Sequence, residues 1–174
     1  DGSNIIDYVT ITTNGNAVDF GDSSTGSESA GGFASHTRFF YLIGSSPSNA
    51  IDFVNVMTTG NSADFGDATA GTFFRAGASN STRGIFAGGD GSPSDSNIID
   101  YITMDTAGNA TDFGDLTVAR RAHSTHASSP TRTVFTGGQT PTAQNVMDFI
   151  TIATTGNAAD FGDLTSARGS MGAC

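Results

Sequence analysis

The sequence predicts an all-β fold assembled from a repeated, four-stranded antiparallel unit, on three observations. First, a nineteen-residue passage occurs four times: NIIDYVTITTNGNAVDFGD from Asn4, NAIDFVNVMTTGNSADFGD from Asn49, NIIDYITMDTAGNATDFGD from Asn97 and NVMDFITIATTGNAADFGD from Asn145. The starts lie 45, 48 and 48 residues apart, and a fixed period in this range marks stacked or radially arranged units. Second, the composition favours turns and strands: 23 Gly, sixteen Asp, a single Glu (Glu28), and seven Arg with no Lys. Asp and Gly suit turns, whereas the missing Lys and Glu are ordinary helix-surface residues. Third, the apolar runs are short and closed by Gly-rich punctuation, as strands joined by tight turns require.

The elements follow in order within the third copy. Ser81 to Gly89 is a short apolar run ending in the pair Gly88-Gly89, and a polar loop spans Asp90 to Ser96. Ile98 to Met104 reads as a strand with Ile98, Asp100, Ile102 and Met104 on one face and Ile99, Tyr101 and Thr103 on the other. Both faces are largely apolar, so the strand is expected to be covered on both sides. Thr106-Ala107-Gly108-Asn109 reads as the next turn, with Gly supplying positive φ. The same pair recurs as Gly15-Asn16, Gly60-Asn61 and Gly156-Asn157. Ala110 to Leu116 is a further strand, and a weaker fourth is expected near Ala122-His123-Ser124. Four short antiparallel strands in about 48 residues, apolar on both faces, describe a β-propeller blade packed between two neighbours.

At this point the residues resemble a kelch-type repeat. The diglycine recurs as Gly88-Gly89 and Gly137-Gly138, an aromatic follows at Tyr101 and Phe149, and an Arg precedes the next unit at Arg120 and Arg168. The usual kelch Trp is absent, with Phe113 and Phe161 in roughly its place. The first unit departs further, with Ile43-Gly44-Ser45 where two glycines are expected. The wording also resembles kelch-like repeat proteins predicted in marine and freshwater bacteriophages. That resemblance implies a virion structural or tail-fibre role and a virion or extracellular location.

Residues 1–174 read as a single repeat domain whose last copy is incomplete. Kelch-type rings have six or seven blades, and this chain carries about three and a half. Three explanations follow: the chain is part of a longer polypeptide, two chains complete one ring, or strands are shared between chains so that open edges become joints. The chain opens on Asp1-Gly2-Ser3 with neither a secretory signal nor an initiator Met, so a processed product or a part of something longer is expected. Cys174 is the lone cysteine, which excludes an internal disulfide. A net charge of -10 argues against a nucleic-acid backbone as partner. No stretch approaches the ~20 apolar residues of a membrane helix.

A residue present in every copy is most simply structural. Asp7, Asp52, Asp100 and Asp148 fall inside the covered strand, where an unpaired carboxylate is costly, so each is expected to pair with an Arg preceding a diglycine strand: Arg38, Arg83 or Arg132. Phe20, Phe65, Phe113 and Phe161 are expected as repeat anchors. The Asp-Phe-Gly wording resembles the metal-binding motif of kinases, but it occurs four times in a chain without Lys or a phosphate loop. It reads as strand, anchor and turn, with Asp22, Asp67, Asp115 and Asp163 bonding their own backbone.

Function is therefore expected where the copies differ, in the loops between the diglycine and the next strand. The candidate binding residues are Ser45, Ser46, Ser48, Asp90, Ser92, Ser94, Asp95, Gln139, Thr140 and Gln144. Loops of varied length on a fixed scaffold suit recognition, and these polar groups suit surface carbohydrate or another protein subunit. Asn80-Ser81-Thr82 and Asn109-Ala110-Thr111 match the N-glycosylation acceptor pattern. No metal or cofactor is expected: the dense Asp-x-Asp-x-Asp-Gly calcium wording is absent, the loop from Asp90 to Asp95 being the best calcium candidate, and His36, His123 and His126 with Cys174 make no standard zinc set. A non-catalytic structural or adhesive protein is the leading expectation. The alternatives are an extracellular fibre subunit whose incomplete blade a neighbouring chain completes, and a carbohydrate-active enzyme. The last requires two positioned acids, and Glu28, the only Glu, is the residue at which to test it.

Overall fold

A computed structural model describes residues 3–26, 31–43, 48–91, 93–121 and 124–170, with backbone alone for 124–128. Among these residues every regular element is a strand. The strands are β1 (Ile5–Tyr8), β2 (Val18–Asp22), β3 (Gly32–Ala34), β4 (Arg38–Leu42), β5 (Ala50–Asn55), β6 (Ala63–Asp67) and β7 (Ala76–Ser79). They continue with β8 (Arg83–Ala87), β9 (Ile98–Thr103), β10 (Thr111–Asp115), β11 (Ser124–Ser128), β12 (Arg132–Thr136), β13 (Gln144–Thr151) and β14 (Ala159–Arg168).

They form four antiparallel sheets: the pair β1-β2, then β3-β4-β5-β6, β7-β8-β9-β10 and β11-β12-β13-β14, each in sequence order. The protein is thus all-β, with three complete four-stranded units and one two-stranded unit. The phase of the unit differs from the sequence expectation. The weak segment after Leu116 is β11, and it pairs with β12 of the next sheet. The diglycine strand is therefore second in its unit. The position of the pairing partner decides this, and local patterning does not encode it.

Coverage on both faces holds for the β7–β10 sheet. Ile85, Ala87, Ile99 and Phe113 pack with Phe135, Ile150 and Ile152 of the β11–β14 sheet. Phe86, Ile102 and Met104 pack instead with Phe33, Phe40, Leu42, Ile51 and Phe65 of the β3–β6 sheet. Burial of this kind contributes roughly 1.5–3 kcal/mol for each large side chain. Copies of one residue are not equally buried, however. Phe65 and Phe113 are 3% and 2% exposed, Phe20 is half-buried, and Phe161 is 52% exposed.

The turn also moves. In the third copy Thr106 N–H donates to the Thr103 carbonyl (3.2 Å), so the tight turn lies at Thr103 to Thr106. Thr13, Thr58 and Thr154 donate in the same way to Thr10, Asn55 and Thr151. Gly108-Asn109 follows that turn and is put to a different use.

Candidate functional site

The Gly-Asn pair of the second, third and fourth copies clasps the Asp-Phe-Gly-Asp strand of the copy before it. Gly60, Gly108 and Gly156 donate their N–H to the carbonyls of Phe20, Phe65 and Phe113 at 2.8, 2.9 and 2.7 Å. Two residues on, Ser62, Ala110 and Ala158 donate to the carbonyls of Asp22, Asp67 and Asp115 at 2.8, 2.7 and 2.7 Å. In return the amides of those three aspartates donate to Oδ1 of Asn61, Asn109 and Asn157 at 3.0, 3.0 and 3.1 Å. The second Asp of the motif thus acts through its main chain, where the sequence predicts a carboxylate capping its own turn. The glycine between Phe and Asp is needed because the backbones touch. A Cβ on Gly21, Gly66 or Gly114 would lie 2.4, 2.4 or 2.5 Å from the carbonyl oxygen of Gly60, Gly108 or Gly156.

The repeated strand aspartates join the same interface. Arg75 Nη1 donates to Asp100 Oδ2 at 2.7 Å and Arg120 Nη1 to Asp148 Oδ2 at 2.6 Å, with all four side chains essentially fully buried. Thr69 and Thr117 hydroxyls donate to Oδ1 of the same aspartates. Asp52 takes a hydroxyl and an amide instead, from Ser62 Oγ (2.7 Å) and Ser24 N–H (3.3 Å). Asp7 is exposed, against expectation, and no arginine among the described residues pairs with it.

The expected Asp–Arg pairing therefore exists for Asp100 and Asp148 alone among the four described aspartates, and with other arginines. Arg38, Arg83 and Arg132 lie over the rings of Phe53, Tyr101 and Phe149, with 4.8, 4.6 and 4.7 Å to the ring centroids. Each ring belongs to the neighbouring strand of the same sheet, so the cation–π contact is the nearest favourable site. Two of these arginines also reach the next sheet: Arg38 Nη1 donates to the Met104 carbonyl (3.1 Å) and Arg83 Nη1 to the Ile152 carbonyl (2.9 Å).

At the diglycine end, the structure brings two of the expected binding loops together. Gly88 and Gly89 have φ of 62° and 112°, and Gly137 and Gly138 have 60° and 102°, so both pairs occupy left-handed backbone that favours glycine. They turn the chain into the loops after β8 and β12. Arg121 Nη1 bonds Asp95 Oδ1 (2.9 Å) and Asp90 Oδ2 (3.3 Å). Its main chain exchanges hydrogen bonds with Gln139 at 3.1 and 2.9 Å. Gln144 Nε2 closes the second loop on the Thr142 carbonyl (2.9 Å) and more loosely on that of Thr140 (3.5 Å). Ser94 is exposed and Ser48 half-buried, while Ser45, Ser46 and Ser92 lie outside the described residues, as do Glu28, His123 and Cys174.

The opposite end carries a feature that the sequence patterning alone does not single out. Three turns are built alike: Ser35 Oγ accepts from Arg38 N–H (3.1 Å), Asn80 Oδ1 from Arg83 N–H (2.8 Å) and Ser129 Oγ from Arg132 N–H (3.0 Å). They line a cleft of about 580 Å³ with exposed His36 at its edge. The signal in the sequence is the recurring Ser or Asn three residues before each Arg, at Ser35, Asn80 and Ser129. Of the two glycosylation matches, Asn80 is half-buried in this turn and its Nδ2 donates to the Pro130 carbonyl (3.4 Å). Asn109 is exposed, with its Oδ1 engaged by the Asp67 amide. Among the described residues no cluster of three or more His, Cys, Asp or Glu is placed to hold a metal ion, and no helix is long and apolar enough to cross a membrane.

These features define an all-β repeat protein whose sheets are clasped copy to copy. No known family model matches the chain, and no curated protein matches it.

Proposed function

We propose that the chain is a kelch-like β-propeller repeat protein, or part of one, that acts as a non-catalytic structural and adhesive component of virion or tail-fibre type. The observation that carries this reading is the tie made by Arg121. One side chain holds Asp90 and Asp95, and its own backbone holds Gln139. Two loops of unlike sequence are thereby fixed side by side at the diglycine end of a repetitive scaffold. A preorganised polar surface of this kind loses little freedom on binding, and its carboxylate and amide groups suit sugar hydroxyls. Of the repeated acids, Asp52, Asp100 and Asp148 are buried and engaged in sheet-to-sheet contacts.

The test is replacement of residues 90–96 and 139–144 by Gly-Ser segments of equal length, with both diglycine pairs retained. Binding of parent and variant is read on a glycan array and on intact bacterial surfaces. Loss of parental binding in a folded variant supports the reading; unchanged binding overturns it.

A further inference from the structure

The two ends of the described fold carry opposite halves of the same clasp. At one end is Phe161, 52% exposed where Phe113 is 2% exposed. Near it, a Cβ on Gly162 would meet nothing closer than Met147 Cε at 3.8 Å, where Gly114 meets the Gly156 backbone at 2.5 Å. Arg168 holds the backbone place of Arg120: its carbonyl accepts from Gly138 N–H (2.8 Å) as that of Arg120 accepts from Gly89 N–H (2.9 Å). Both close the same wording, Asp-Leu-Thr-x-Ala-Arg, from Asp115 and from Asp163. Yet Arg120 is buried on Asp148, while Arg168 is exposed.

At the other end are β1 and β2 with the register of an interior copy. Ile5, Ile6 and Asp7 pair with Asp22, Gly21 and Asp19, just as Ile98, Ile99 and Asp100 pair with Asp115, Gly114 and Asp112. What differs is the outer face. Val9 and Ile11 are 59% and 96% exposed, whereas their counterparts Ile102 and Met104 are 2% and 1% exposed.

We propose that a second copy of this chain docks its β1-β2 hairpin on the β14 edge, head to tail, reproducing the internal clasp between chains. In that joint Gly15 N–H donates to the Phe161 carbonyl and Ala17 N–H to the Asp163 carbonyl. Asp163 N–H donates to Asn16 Oδ1. Arg168 pairs with Asp7 as Arg120 does with Asp148, and Arg132 reaches the Ile11 carbonyl as Arg83 reaches that of Ile152. Continuity with the internal interface supports this: its backbone clasp already occurs three times and its Arg–Asp pair twice among the described residues, and the two ends supply the missing halves with matching charge. The contact is heterologous, so it propagates to a closed ring or an open filament according to the rotation per copy. It rests on the assembly reading above and specifies its joint.

The experiment measures the mass of the 174-residue chain by light scattering and sedimentation from micromolar to millimolar concentration. Asp7→Arg and Arg168→Asp each alter an exposed end and should leave the thermal unfolding profile of the dilute, unassociated chain unchanged. The parent is expected to associate. Each variant alone should associate about a hundredfold more weakly, the scale of breaking one close charge pair at a joint. An equimolar mixture of the two variants should recover association. One of its joints then brings the two substituted positions together with their charges exchanged, and the reciprocal joint is native. A monomeric parent overturns the proposal, as does association that neither variant weakens or that mixing does not restore. A monomer that still binds surfaces through its loops overturns the joint and leaves the adhesive reading standing.

Discussion

Arg120 Nη1 lies 2.6 Å from Asp148 Oδ2, with both side chains wholly buried. The arginine belongs to the segment after β10 and the aspartate to β13, so the pair bolts one sheet to the next. Arg75 and Asp100 do the same one interface earlier at 2.7 Å. The two arginines stand at different distances along the chain from their partners, yet their head groups arrive at the same place. What is repeated is the buried carboxylate and its need for donors, which Asp52 meets with a hydroxyl and an amide in place of a cation.

Arg120→Met leaves that carboxylate with the Thr117 hydroxyl as its remaining side-chain donor. Removing one partner of a buried pair costs roughly 3–5 kcal/mol. The double variant Arg120→Met, Asp148→Leu should recover much of that loss, since it leaves no orphaned charge. Urea unfolding of the two singles and the double tests this, and purely additive losses would count against it. Asp52→Asn should cost only about 1 kcal/mol, because its partners are a hydroxyl and an amide that an amide oxygen can still satisfy.

Gly114→Ala should destabilise the protein markedly more than Gly162→Ala. Both glycines have positive φ, 143° and 132°, so both variants carry a similar backbone strain. Only the first adds a Cβ 2.5 Å from the Gly156 backbone. The difference in unfolding free energy between the two variants isolates the close approach at the clasp. Equal losses would mean that the sheets separate to accommodate the methyl group.

The all-β architecture, the period and the double-sided coverage are legible in the sequence because each is a local pattern repeated. Phe113 and Ile99 stand out as apolar anchors in their strands, and both are buried. The clasp is not legible, because Gly108-Asn109 looks like hairpin chemistry to any window shorter than the repeat. Its partner, Phe65 to Asp67, lies a whole copy upstream. The choice of arginine is hidden for a related reason. Arg83 stands beside the strand of Tyr101 and is held over that ring, while the cation for Asp100 comes from Arg75, just before β7. Of the expected binding residues, Asp90, Asp95 and Gln139 are brought together by Arg121, a residue that lies just outside the repeated Asp-Leu-Thr-x-Ala-Arg wording and so carries no repeat signal.

Asn157→Ala should cost about 1 kcal/mol, the usual value of one net hydrogen bond, and should speed hydrogen exchange at the Asp115 amide that it caps. Asn16→Ala is the control within the isolated chain, since Asn16 has the same turn but no upstream strand to clasp among the described residues. Equal losses of stability in dilute solution would show that the asparagine serves its own turn and leave the clasp without its side-chain component.

Asn80→Ser should be nearly neutral and Asn80→Ala should lose about 1 kcal/mol. The protein already makes the same turn with Ser35 and Ser129, whose hydroxyls accept the amide of the arginine three residues on. Asn80 does this with Oδ1, accepting from Thr82 at 2.9 Å and Arg83 at 2.8 Å. Serine can replace that acceptor, and alanine cannot. The serine variant also removes the Nδ2 bond to Pro130, so the gap between the two substitutions reports the turn, and any shared loss reports the bridge to the neighbouring hairpin. Thermal unfolding of the two variants separates these contributions. If serine proved as damaging as alanine, the bridge across the cleft would be what holds this end together, and the likeness of the three turns would carry no energetic weight.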